Sequence, residues 1–256
     1  RMAVVCDLLA RFMRSIYPKV TYVSNITDID DKIINASIET NTPIEELTSK
    51  YEKIYNENMG ELGVLGPDIQ PRATDHIKEM IELIDKLIKQ NNAYVSDNHV
   101  LFNVSSYENY GLLSGRNKED QIAGSRVEVA DYKNNSGDFV LWKPSNENQP
   151  GWDSPWGRGR PGWHIECSAM SEKTLSLPFD IHGGGLDLTF PHHENEIAQS
   201  CAAHKFDNPK EYARYWIHNG FVTMDGEKMS KSLGNIFLVK DLLKKYPGET
   251  LRLALI

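Results

Sequence analysis

Hydrophobic positions recur at helical spacing through the first ninety residues, give way to strand-like alternation, and then alternate between the two. Residues 3–16 place Val5, Leu8, Leu9, Phe12, Met13 and Ile16 at intervals of three and four, and Pro18 closes that element. KVTYVSN (19–25) is rich in β-formers and predicts a buried strand. Thr27 is placed to cap the next helix, with Asp28 and Asp30 in a first turn where the helix dipole favours acidic groups. Thr42-Pro43-Ile44-Glu45 reads as a capping box that starts a helix to about Met59, with Ile44, Leu47, Tyr51 and Ile54 on one face. A further helix over 74–91 carries Ile77, Ile81, Ile84 and Ile88. These helices read as core packing and carry no assigned chemistry.

The texture changes at residue 93. AYVSDNHVLFNV alternates around Asp97-Asn98 and predicts a hairpin. A polar stretch (105–137), a strand (137–145) and a Pro/Gly/Trp-rich segment follow. Residues 93–160 therefore read as a small β-containing insertion between two halves, 1–92 and 161–256. From 163 the pattern is helix (163–174), strand (178–182), Gly-rich turn (183–185) and helix (191–204). YWIHNGFVTM (215–224) is strand-like and leads into Asp225-Gly226, and helices begin near 238 and 248. Strands alternating with helices predict an α/β domain on a mostly parallel sheet. Such sheets bind ligands at the carboxyl ends of their strands, where the Gly-rich turn and the loop after Met224 both fall.

Composition adds boundaries to this picture. The chain has 256 residues, enough for one large domain or one domain with an insertion. No run of about 18 apolar residues is present, and the opening RMAVVCDLLARFMR reads as an amphipathic helix, not a cleavable leader. Cys6, Cys167 and Cys201 make no disulfide framework, which suits a reducing, cytoplasmic setting. Cys6 and Cys201 are expected in the core. The net charge of −8 argues against a generally nucleic-acid-coating surface, though not against a local basic patch.

Candidate chemistry concentrates between Trp163 and Glu196. Cys167, His192 and Glu196 supply a thiolate, an imidazole and a carboxylate, all ligand types that zinc accepts. His192 and Glu196 are four apart in a segment opened by Pro191, so on a helix they point the same way. Trp163 and Cys167 share that spacing and would place an indole beside the sulfur. The alternative is structural: a helix-capping His192, a solvated Glu196 and a core Cys167. A second cluster lies in EKMSKSLGN. Lys228 and Lys231, three apart among Ser230, Ser232 and Gly234, could meet a polyphosphate as it gains charge. Judged only as two lysines and some serines, the stretch reads as a solvated loop.

The literal string KMSKS followed by LGN resembles the phosphate-binding signature loop of class I aminoacyl-tRNA synthetases. Together, NITDIDDKII (25–34), GWHIECSAM (162–170), DIHGGGLDLTFPHHENEIAQS (180–200) and GFVTMDGEKMSKSLGN (220–235) resemble the cysteinyl-tRNA synthetase family, in its order and with comparable spacing. That resemblance implies a Rossmann-type catalytic domain split by an insertion. It implies one zinc ion per chain on Cys167, His192 and Glu196, with Trp163 and Thr27 lining a cysteine pocket. It also implies ATP and adenylate contacts from His182, Gly183, Gly184, Lys228, Met229, Ser230, Lys231 and Ser232, with Mg²⁺ accompanying ATP. Lys228 and Lys231 would stabilise the transferring phosphates. Family members open with a strand bearing a further zinc cysteine and the HIGH motif, and continue into helical tRNA-binding domains. Residues 1–16 match the helix after HIGH, so the piece by itself is expected to be inactive and to lack a fourth ligand.

The implied reaction joins cysteine to ATP as cysteinyl-adenylate and passes it to tRNA(Cys), in a cytoplasmic monomer. Zinc would tell cysteine from serine by bonding its thiolate, where shape alone gives only about 1–3 kcal/mol. Two rival functions remain. A mycothiol-pathway cysteine:amino-sugar ligase resembles the same family and uses the same adenylate. A zinc hydrolase would use HHENE, although this lacks the H-E-x-x-H pattern. A third view takes the isolated piece as only a metal-binding structural fragment.

Overall fold

A computed structural model describes residues 1–116, 130–224, 227–229 and 234–256. The first helix, α1, spans Met2–Ile16. It buries Val4, Asp7 and Ala10, and leaves Leu8, Phe12 and Ile16 of the expected apolar face exposed. Asp7 is buried because it ties three segments together. It accepts from Arg11, from the backbone N–H of Leu65 (2.9 Å) and from Arg252 near the chain's end.

The predicted strand over 19–25 is extended but makes only isolated parallel bridges, Val23 with Ile69 and Ile26 with Arg72. Its partner segment contains Pro67 and Pro71, which have no N–H to donate to a ladder. Helix α2, Asp31–Thr40, is capped by Asp30, whose side chain accepts from Ile33 N (2.6 Å), and not by Thr27. Helix α3, Ile44–Glu61, starts after Pro43 without the predicted capping box. Thr42 is held instead by the end of α2, with its backbone N–H on Ser37 O (3.1 Å). Of the predicted apolar face of α3 only Leu47 is buried, and Tyr51 is exposed. Helix α4, Ile77–Lys89, buries Ile77, Met80, Leu83, Ile84 and Leu87.

The segment from 93 forms an antiparallel four-stranded sheet: β1 (Ala93–Ser96), β2 (His99–Phe102), β3 (Phe139–Pro144) and β4 (Gly159–Pro161). Asp97 and Asn98 both adopt left-handed backbone angles, as a two-residue hairpin turn requires. Helix α5, Trp163–Leu175, follows directly. Strand β5, Phe179–Gly185, absorbs the glycines expected to form a turn and pairs in parallel with β6, Ala213–Asn219. Between them lies α6, Glu194–His204. This helix begins later than predicted: Phe190 is extended, as the residue before proline prefers, and the chain passes through a wide turn at Thr189–His193.

Past β6, Thr223–Met224 (β7) and Glu227–Lys228 (β8) pair as a short antiparallel hairpin. Helices α7 (Val239–Leu243) and α8 (Gly248–Leu255) come next. Helices α4, α5 and α6 pack on one another. They share one hydrophobic cluster with the antiparallel sheet, centred on Met80, Ile84, Phe102, Trp142, Ile165 and Ile197. The fold is α/β, with a parallel β5–β6 pair beside helices and a separate antiparallel sheet. Among the described residues, no helix is long and apolar enough to cross a membrane.

Candidate metal and substrate site

The site is built where α5, the wide turn before α6, and the β5–β6 pair meet. Cys167 lies on α5, one turn after Trp163. His192 lies in the wide turn and Glu196 in the first turn of α6. One ligand atom from each of Cys167, His192 and Glu196 comes within 4.8 Å of the others. His192 Nε2 is 3.0 Å from Glu196 Oε1. The Trp163 ring lies against His192, with centroids 4.2 Å apart, and is 47% exposed, so it stands on the solvent side of the cluster. The three residues singled out for zinc thus converge, beside the predicted tryptophan.

Glu196 is fully buried, and its two oxygens face different surroundings. Oε2 accepts from the Tyr212 hydroxyl (2.7 Å) and lies 3.3 Å from His182 Nε2. Oε1, on the His192 side, is buried and accepts no well-directed hydrogen bond. Its one close neighbour is His192 Nε2, itself a candidate ligand atom, and a buried carboxylate oxygen so placed is stabilised when a cation comes between the two. Burial opposes ionisation of Glu196, but His182 and His192 outweigh it and hold the carboxyl well below its usual range. A second set, His182, His193 and Glu196, is equally close in space. There the carboxylate oxygen on the His182 side, Oε2, already accepts from the Tyr212 hydroxyl. Oε1 carries no such hydroxyl donor, which makes the Cys167 set the better fit for a metal.

Three further histidines, His164, His193 and His218, surround the cluster. His164 Nδ1 lies 2.8 Å from His192 Nδ1. Burial, with His192 beside it, pushes His164 down to about 3, so it is neutral. If His192 turns the lone pair of Nε2 toward a metal, its proton sits on Nδ1 and donates to His164. His193 Nδ1 lies 2.8 Å from His218 Nε2. Burial is likewise the main reason that His193 is pushed down to about 3.

The strand register explains this second contact. His182 faces Trp216 and Gly184 faces His218 across the parallel pair. A Cβ at Gly184 would stand 2.5 Å from the His193 ring, so the glycine leaves the notch that this ring fills. The available signal was the alternation in DIHGGG and WIHN: paired parallel strands put His182, Gly184, Trp216 and His218 on one face.

His182 turns toward Glu196 rather than outward. Gly183 is exposed and lies over α1, where a Cβ would meet Met2 and Cys6, whereas Gly184 is buried. Cys6 is half-buried, and Cys201 is fully buried as expected. Thr27 Oγ1 donates to Glu166 Oε2 (3.2 Å). Burial raises the Glu166 carboxyl well above its usual range, Asp28 and Asp30 add to this, and the Thr27 bond opposes it. Asn25 Nδ2 donates to Cys167 Sγ (3.7 Å). Burial, with Glu196 and Glu166 nearby, pushes the Cys167 thiol well up, and the Asn25 bond acts against that shift. Lys228 pairs with Thr223 in the β7–β8 hairpin, and Met229 N donates to Val222 O (3.2 Å). Ser230, Lys231, Ser232 and the Asp225-Gly226 turn lie outside the described residues.

Both the sequence and the α/β fold match a known class over the whole chain. The sequence model of the family described as "tRNA synthetases class I (C) catalytic domain" covers residues 1–256, and the chain belongs to that family. A solved Mycobacterium tuberculosis methionyl-tRNA synthetase in complex with methionyl-adenylate superposes with a TM-score of 0.74. It is 18% identical, over 99% of this chain and 60% of that one, which speaks for the fold alone.

Within the class, the curated relatives carry a more specific name, cysteine–tRNA ligase. The relative from Parvibaculum lavamentivorans is 61% identical over all of this chain and 54% of its own length. The one from Rhodospirillum rubrum is 58% identical over all of this chain and 55% of its own. The chain therefore spans about half the length of these relatives.

Proposed function

We propose that this chain carries the catalytic domain of an enzyme that activates cysteine with ATP and transfers it to tRNA(Cys). The observation that supports the reading is the convergence of Cys167, His192 and Oε1 of Glu196 beside Trp163. Cys167, His192 and Glu196 would hold one zinc ion. Bound there, zinc would supply a Lewis acid that prefers a substrate thiolate to a serine hydroxyl.

The chain's own residues do the rest. His164 fixes the orientation of His192, and Tyr212 holds the far oxygen of Glu196. Trp163 screens the pocket from water, and Thr27 lines it from the 24–30 segment. The attacking group is the substrate's own carboxylate, so no protein nucleophile or general base is needed. Catalysis is then positioning and charge stabilisation. Lys228, Met229, Ser230, Lys231 and Ser232 would grip the ATP phosphates with Mg²⁺, and His182, Gly183 and Gly184 would form part of the adenylate wall. The antiparallel sheet from Ala93 to Pro161 supports the division into a split catalytic domain (1–92 and 161–256) and a connective insertion (93–160). A cytoplasmic monomer accords with this role.

Zinc content tests the reading. Cys167→Ser in the full-length protein is expected to purify without zinc and to lose cysteine binding. A variant with full zinc content would refute the ligand assignment.

A further inference from the structure

Asn25 stands outside the ligand set and outside the pocket as proposed, yet it reaches the ligand sulfur. Its Nδ2 donates to Cys167 Sγ at 3.7 Å. The backbone on both sides is pinned: Ser24 N donates to Ile69 O (3.1 Å) and Ile26 N to Pro71 O (2.8 Å). In an extended segment alternate side chains face the same way, so Asn25 and Thr27 both face α5. There they meet consecutive residues, Cys167 and Glu166. The amide is therefore aimed at the sulfur by a fixed backbone, although Asn25 itself is solvent-exposed.

The site's charge gives that donor a purpose. A divalent cation bound by the Cys167 thiolate and the Glu196 carboxylate is already neutralised by these two ligands alone, before any further zinc cysteine of the full-length protein is counted. A substrate thiolate added to it makes the cluster net negative in a largely buried place. An N–H directed at a ligand sulfur draws off part of that charge and fixes the sulfur's direction. We propose that Asn25 is a positioning residue of the thiol-selecting site, tuning the Cys167 thiolate through an N–H···S hydrogen bond so that a second, substrate-derived thiolate can be accepted. The inference rests on the zinc reading above.

Cobalt(II) substitution of the full-length protein tests it, because the sulfur-to-cobalt absorption band reports the energy of the thiolate lone pair. Asn25→Leu removes the donor at similar volume. It is expected to lower cobalt affinity about tenfold or more, to move the band to longer wavelength, and to weaken cysteine binding to the loaded protein. Asn25→Gln, which keeps an amide donor, should restore the band at least in part. Asn25→Asp, near-isosteric at an exposed position and lacking the donor, should repeat the red shift if the leucine variant does not fold. An unmoved band in the donor-less variants, with or without weaker affinity, would overturn the role given to Asn25. Wild-type protein that takes up no cobalt would instead overturn the metal reading, and this inference with it.

Discussion

His192 and Glu196 face each other across one turn, with Nε2 and Oε1 3.0 Å apart, while the outer nitrogen of His192 rests on His164. The histidine is thereby oriented from behind and the carboxylate oxygen is presented from beside it. Residues that orient a ligand in this way typically contribute 10–100-fold to metal affinity. His164→Ala should accordingly weaken zinc retention by about that factor, measured by chelator competition on the full-length protein. Unchanged affinity would mean that His192 is held by other contacts.

Gly184 is predicted to be intolerant of the smallest side chain. Its Cβ would meet the buried His193 ring, which is confined by His182, Trp216 and His218. Overpacking of this kind costs about 1–3 kcal/mol. Gly184→Ala should lower Tm by several degrees. Gly183→Ala, where the nearest atom is the flexible end of Met2, should lower it less. Equal shifts would contradict the notch assigned to Gly184.

Asp7 joins α1 to the Leu65 backbone and to Arg252, and these partners hold its carboxyl below the usual aspartate range despite the opposing effect of burial. Hydrogen bonds to charged groups contribute about 1.5–3 kcal/mol, so Asp7→Asn should destabilise the fold by roughly that amount at neutral pH. The sign with pH follows from the lowered value. The contribution is present above the unfolded-state pKa and is lost as pH falls through the folded one. The stability gap between wild type and variant, from denaturant titrations, should close on acidification below the ordinary aspartate range. A gap that stays constant there would contradict the pairing.

Lys231→Ala should reduce cysteine-dependent pyrophosphate exchange by on the order of a hundredfold, the scale of losing one transition-state contact, with little change in cysteine binding. Equal losses in both would mean that the loop mainly binds ground state.

These residues also show what the sequence could reveal. The convergence of Cys167, His192 and Glu196 is legible because each is a chemically apt type in a recognisable string, and the His192/Glu196 spacing survives a later helix start than predicted. The α/β pattern was legible from the alternation of strands and helices after 160. Caps were less so: Asp30 and Thr27 are both competent caps, and only the observed backbone shows which one accepts from Ile33. The exposed Phe12 and Tyr51 were misjudged because periodicity locates a face without saying what covers it. His164, His193 and His218 were missed because their meeting depends on strand register and on a glycine opposite a histidine, which are long-range facts.

On this reading a zinc ion held by Cys167, His192 and Glu196 selects cysteine for activation. The most direct measurement is amino-acid-dependent ATP–pyrophosphate exchange by the full-length protein as purified, after chelator stripping, and after zinc restoration. Cysteine should support exchange in the first and third states and not in the second, and serine should support it in none. Exchange with cysteine that survives complete removal of zinc would contradict the account.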